Sequence, residues 1–192
     1  MVEIKTDFLV VVDIEASCWL GHPPPDEQNE IIEVGVCLMS LDTGEVSHKQ
    51  SILVKPTRSK ISDFCTELTT LTQAEVDTGI TLEAACAILR DEYDAPDRIW
   101  TSWGNYDKNM FIGQCASFGI DYPFSPKHFN LKKIYSKVYG KRPPGMAGAL
   151  EALQIPLTGT HHRGADDAYN IAVIASAMHK LRGSSIFGVK SE

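Results

Sequence analysis

The 192-residue chain has no apolar run near the roughly 18 residues that a membrane span needs. It has no Cys-x-x-Cys, and its five cysteines (Cys18, Cys37, Cys65, Cys86 and Cys115) are scattered and odd in number. These absences argue against a disulfide framework or a structural zinc site, and for a reducing compartment. No internal repeat and no low-complexity linker interrupts the sequence. Met1 to Asp7 has no cationic start, and the apolar run that follows, Phe8 to Val12, is short, so no secretory signal is expected. The expectation is one intracellular, cytoplasmic domain over residues 1–192, with its core near 8–181, no membrane contact and a mobile tail over 183–192.

The net charge of −7 argues, taken alone, against nucleic acid as a partner. Its distribution points the other way. Asp and Glu are missing altogether from Tyr122 to Leu150. The same stretch carries Lys127, Lys132, Lys133, Lys137, Lys141 and Arg142, a local charge of +6. In an acidic chain such a segment is a candidate phosphate-tracking surface. The plainer reading is a solvated basic face.

The apolar pattern gives three strands first, then helices alternating with strands. Phe8 to Ile14 is almost continuously apolar, which predicts a central strand covered on both faces. Ile31 to Ser40 and Val46 to Val54 flank Asp42-Thr43-Gly44, a hairpin signal. A turn and short helix are expected over Ser62 to Asp77, and a helix over Leu82 to Tyr93. A short strand follows over Arg98 to Trp103, then a helix over Asp107 to Phe118. Phe129 to Tyr135 starts near a strand and turns helical, and Ala165 to Leu181 is a long helix. Trp19 to Glu30 and the Gly183-Ser184-Ser185 tail read as mobile. The order predicts an α/β fold: a mixed sheet with helices on both faces.

Two acidic patches stand out. Asp13-Ile14-Glu15 ends the first apolar strand, and far along the chain comes His162-Arg163-Gly164-Ala165-Asp166-Asp167. Side chains at alternate strand positions share a face, so Asp13 and Glu15 point together. Carboxylates ending a buried strand are costly unless a cation neutralises them. In the last helix Asp167, Ile171, Ile174 and Met178 form one stripe, which turns Asp167 inward and leaves Asp166 to one side. Asp166 suits an N-terminal cap or dipole role better. His162 precedes Asp167 in a loop with Gly164 and is a candidate general base. His161 competes for that role, with the same spacing to Asp166; the helical-face argument favours His162 with Asp167. Trp103-Gly104-Asn105-Tyr106-Asp107 adds a carboxylate at a second strand–helix junction, where Asp107 can equally be a helix cap. Tyr106 and Trp103 are candidates to stack on a base, or simply core residues.

The order Asp-x-Glu, then Asp, then His-x-x-x-x-Asp resembles the DEDDh 3′→5′ exonucleases, of the RNase-H-like, RNase T and proofreading-exonuclease superfamily. The likeness runs from about Phe8 to Leu181. It is strongest to the branch containing the 3′ histone-mRNA exonuclease and the enhancer-of-RNA-interference nuclease. It is carried by Asp13 to Cys18, Glu30-Ile31-Ile32-Glu33, Ser62 to Cys65, Leu68-Thr69, Leu71-Thr72-Gln73, His162 to Ala168 and Asn170-Ile171-Ala172.

The resemblance implies an RNase-H-like five-stranded sheet flanked by helices and two Mg²⁺ or Mn²⁺ ions. Asp13, Glu15 and Asp167 would hold the first ion; Asp13 would bridge to the second, with Asp107 in support. His162 would take the proton from the attacking water. Glu15 and the backbone near Ala16 would recognise the terminal 3′-hydroxyl, and Phe64 and Tyr106 would sandwich the last base. Tyr106 departs from the tryptophan of the most similar family members. Lys133 and Arg142 are candidates for backbone contact. The histone-mRNA relative has a further nucleic-acid-binding domain before the nuclease, so stem-loop recognition is not carried over. The expected substrate is a single-stranded RNA 3′ end or short overhang. A DNA-directed exonuclease and a catalytically silent RNA-binding adaptor are the alternatives.

Overall fold

The computed structural model describes residues 4–143 and 145–189. Strand β1, Lys5–Ala16, runs through the middle of a five-stranded sheet. It pairs antiparallel with β2, Ile31–Ser40, and parallel with β4, Arg98–Ser102. Antiparallel β3, Val46–Leu53, and parallel β5, His128–Asn130, form the edges. The sheet is therefore mixed, as the element order predicts.

Both faces of β1 are buried, for the reason its apolar run suggests. Leu9 and Val11 pack under α5 (Leu131–Tyr139), α6 (Met146–Ala152) and α7 (Gly164–Arg182). Val10, Val12 and Ile14 pack under α3 (Leu82–Asp91) and α4 (Tyr106–Phe118). The alternation places Asp13 and Glu15 on the α7 side, continuing the row of Leu9 and Val11.

Three local expectations change. Ser62 to Asp77 holds two short helices, α1 (Asp63–Thr69) and α2 (Gln73–Val76). Thr70 takes a left-handed conformation that ends α1, and Thr72 with Glu75 caps α2 reciprocally. Helix α6 has no counterpart in the sequence reading. It starts at Gly145 without a side-chain cap and is rich in small residues, so its periodicity is weak. The tail is anchored rather than loose as far as it is described. Ser184–Phe187 forms a 3₁₀ turn, Phe187 is buried against Phe129, and the Ser184 hydroxyl donates to the Leu41 carbonyl. Residues 190–192 lie outside the described part. Trp19 to Glu30 is irregular and mostly exposed, with its base held by Ser17 N–H donating to Glu30 O at 2.8 Å. Among the described residues no helix is long and apolar enough to cross a membrane, and all five cysteines are free.

Candidate active site at the end of the central strand

The site starts from a backbone contact. In the β1–β2 ladder Asp13 lies opposite Gly35 and Glu15 opposite Glu33. Gly35 has no side chain, and the backbone of Gly164, the first residue of α7, fills the space. Any Cβ at Gly35 would overlap the Gly164 carbonyl. Glu33 fastens the contact. One of its carboxylate oxygens accepts the Gly164 N–H at 2.9 Å with Arg163 Nε at 3.5 Å, and the other accepts the Ser51 hydroxyl at 2.5 Å. The N-terminus of α7 is thus fixed one strand away from Asp13, and Asp167 in its first turn is brought to β1.

Asp13, Glu15 and Asp167 offer ligand oxygens all within 4.8 Å of one another. Glu15 and Asp167 are buried, and Asp13 is half-buried at the mouth. Among the described residues none of these three, nor Asp107, forms an ion pair with a lysine or arginine. Burial pushes the Glu15 carboxyl up to about 8; the charges of Asp167, Glu33 and Asp107 add to it, and Arg163 opposes. Burial raises Asp13 well above the usual range, helped by Asp107, Glu15 and Asp167. Asp167 is raised by burial too, against the His162 N–H and the neighbouring histidines. Such a cluster binds either protons or cations, and an all-oxygen donor set suits hard divalent ions.

Asp107 approaches from the opposite side. It sits in the first turn of α4 and does not cap it; Asn105 takes the cap position without a side-chain bond. Instead Asp107 Oδ1 accepts the Ile14 N–H at 3.1 Å, between the two acids of β1. Burial raises its pKa, while that N–H donor and the charge of Lys132 work against the rise.

The histidine loop differs in detail from the sequence argument. His161 Nδ1, not the His162 ring, lies 2.9 and 3.1 Å from the two Asp167 oxygens. His162 reaches Asp167 through its main-chain N–H, at 3.0 Å. Helical spacing does not apply here, because α7 begins after Arg163 and His162 is in the left-handed region at φ 64°. The two imidazoles stack, with centroids 3.9 Å apart. Burial lowers the His162 pKa, with the His161 charge adding and Asp167 opposing. Asp166 turns away, as its place off the stripe predicts. It accepts the Thr160 N–H at 2.7 Å and pairs with Lys49.

These groups line a cleft of about 540 Å³, together with Ala16, Cys18, Leu68, Trp103, Asn105, Tyr106, Lys132 and Met146.

The family model described as Exonuclease (RNase_T) matches residues 10–175. The chain belongs to this exonuclease family. Snipper, a 3′-5′ exonuclease of Drosophila melanogaster, is 28% identical, covering 96% of this chain and 73% of its own length. The human 3′-5′ exoribonuclease 1 is 32% identical over 90% of this chain, and the chain spans 52% of that relative. The nuclease domain of 3′hExo, a DEDDh family member solved with rAMP, superposes with a TM-score of 0.84 at 28% identity. That alignment covers 95% of this chain and 96% of the solved one. The DEDDh resemblance and the RNase-H-like fold are borne out. By class the domain is an exonuclease, and the family implies use of a divalent metal.

Within this exonuclease the cleft gathers Asp13, Glu15, Ala16, Tyr106, Asp107, His162 and Asp167. Three residues named from the sequence fall elsewhere. Phe64, at the start of α1, is half-buried and outside the cleft lining; Leu68, one turn further on the same face, lines it instead. Lys133 and Arg142 are exposed away from the lining, and Lys132 is the cation of that segment at the cleft. The helical register of α5 decides between the two lysines. Glu33 and Gly35 were missed as supports, although a Glu-x-Gly inside an apolar strand is the signal that marks them.

Proposed function

We propose that residues 1–192 act as a single exonuclease domain that hydrolyses the last phosphodiester of an RNA 3′ end and releases nucleoside 5′-monophosphates. The observation that carries the reading is the trio Asp13, Glu15 and Asp167: three carboxylates with ligand atoms within 4.8 Å and no lysine or arginine paired to them among the described residues. That donor set, with Asp107 nearby, fits Mg²⁺ or Mn²⁺: Asp13, Glu15 and Asp167 would hold one ion, and Asp13 with Asp107 would support a second. When bound, such ions make a water acidic enough to attack at neutral pH and offset charge developing on the phosphate.

The remaining work falls to side chains. His162 accepts the proton of the attacking water; its depressed pKa keeps it neutral and able to do so. Glu15 and the Ala16 backbone, at the closed end of β1, receive the terminal 3′-hydroxyl and so confine cutting to chain ends. Tyr106, 54% exposed at the cleft, stacks on the last base, with Leu68 on the neighbouring wall. Lys132 meets the phosphate charge, and Lys133 and Arg142 follow the strand further out. The five free cysteines support an intracellular, reducing compartment.

Product analysis tests the proposal. With Mg²⁺ and a single-stranded RNA bearing a free 3′-hydroxyl, the expected products are 5′-mononucleotides, and chelator abolishes them. Nucleoside 3′-monophosphates, or no products, would contradict it. A matched DNA strand run beside the RNA separates an RNA-directed from a DNA-directed enzyme.

A further inference from the structure

Asp167 belongs to two groups of ligand atoms. One is the all-oxygen trio with Asp13 and Glu15. The other is His161, His162 and Asp167, whose ligand atoms also lie within 4.8 Å of one another. The proposed hydrolysis uses the first group and His162 as base, and leaves His161 without a role, since a single base needs only one imidazole.

The chemistry of the second group is different. Two imidazole nitrogens and one carboxylate suit a borderline ion such as Zn²⁺, whereas Mg²⁺ prefers carboxylates, carbonyls and water. Two consecutive residues ordinarily send their side chains apart. Here His162 adopts a left-handed backbone at φ 64°, and the two rings lie face to face at 3.9 Å and 18°. A non-glycine residue held in that region carries a local cost, which the surrounding structure must offset. Thr160 N–H on Asp166 and Gly164 N–H on Glu33 clamp the loop on either side. His161 Nδ1 is already 2.9 Å from Asp167 Oδ2, and its side chain is 41% exposed. The loop therefore presents both rings beside a carboxylate, each with a nitrogen within 4.8 Å of the other's and of an Asp167 oxygen. Three protein ligands and one open position are a familiar zinc arrangement.

We propose that His161, His162 and Asp167 form a second cation site, selective for Zn²⁺-like ions over Mg²⁺, whose occupation switches off hydrolysis. An imidazole lone pair given to an ion cannot accept a proton from water, so His162 is withdrawn as base. Asp167 is drawn from the carboxylate trio at the same time. Only this inhibitory effect rests on the nuclease reading; the site itself stands on the three side chains.

Calorimetry separates the two. Zn²⁺ is titrated into the whole chain without RNA, in the presence of excess Mg²⁺. One equivalent should bind. His161→Asn and His162→Asn should each weaken binding about tenfold or more, and Asp13→Asn should weaken it less than either. Both histidines lie in an exposed loop, and circular dichroism checks that each variant is folded. Cys18→Ser, at the same cleft, should bind as the parent does. In Mg²⁺-driven RNA digestion, Zn²⁺ should inhibit the parent, and His161→Asn should need about tenfold more Zn²⁺ for the same fractional inhibition of its own rate. Unchanged Zn²⁺ binding in both histidine variants would overturn the site. So would a larger loss in Asp13→Asn or Cys18→Ser. Binding as expected without inhibition of an active enzyme would overturn the switch.

Discussion

Gly35 on the second strand and Gly164 at the start of the last helix touch backbone to backbone, directly across the ladder from Asp13. This contact joins the two acidic patches, which are distant in sequence and adjacent in space. Gly35→Ala has no room, because the neighbour is main chain and cannot rotate away. It should cost on the order of 3 kcal/mol and displace Asp167 from the trio. A urea melt of the variant, with Mn²⁺ binding measured on what remains folded, checks both. Wild-type stability and metal affinity would remove the contact from the account.

Glu33 tests the same junction without steric strain. Glu33→Ala leaves the buried Gly164 N–H without its acceptor, a loss of about 1–3 kcal/mol. Since Glu33 is proposed to set the position of the histidine loop and to touch no substrate, kcat should fall with little change in KM. Glu33→Gln keeps an acceptor for Gly164 and should recover most of kcat. A KM effect with unchanged kcat would place Glu33 in substrate binding instead.

The carboxylate cluster predicts an unusual pH profile for the metal-free protein. Glu15 has an ordinary value of 4.5 and a folded value of about 8. Between those limits the folded state holds more protons than the unfolded one, so stability falls as pH rises and levels off above about 8. Asp13 and Asp167, raised in the same sense, add to the trend. The Glu15 contribution is on the order of 5 kcal/mol at most. Melts in chelator at pH 5, 6.5 and 8 should show a falling Tm, and Mn²⁺ should restore more of it at the higher pH. A flat profile would mean that these acids are better solvated than the structure indicates.

Tyr106 and Lys132 separate stacking from charge. Tyr106→Ala should raise KM for single-stranded RNA by an amount worth about 1–3 kcal/mol, and Tyr106→Phe should keep most of the affinity. Lys132→Gln should weaken binding and flatten its salt dependence by about one phosphate contact. Equal salt slopes for parent and variant would place Lys132 off the strand's path.

Much of this was legible in the residues, and the reasons are physical. The run ending in Asp13 and Glu15 is apolar on both faces, so a central strand with carboxylates at its end followed directly. The inward stripe of Asp167, Ile171, Ile174 and Met178 separated Asp167 from Asp166, because helical periodicity holds within α7. It does not extend just upstream, where His162 turns left-handed and the ring of His161 meets Asp167. Charge counting named Lys133 without showing that Lys132 lines the cleft, because it ignores which face of α5 meets it. Helix α6 escaped notice because small residues carry little amphipathic signal. The Gly35–Gly164 contact was invisible, since nothing local says which two glycines will meet.

The central claim is that Asp13 and its partner acids support cutting from the 3′ end. A 5′-labelled single-stranded RNA incubated with Mg²⁺ tests it most directly, with the parent beside Asp13→Asn. The account predicts a ladder shortening one nucleotide at a time from the 3′ end in the parent and intact RNA in the variant. A parent that leaves the RNA intact, or a variant that produces the same ladder, would contradict it.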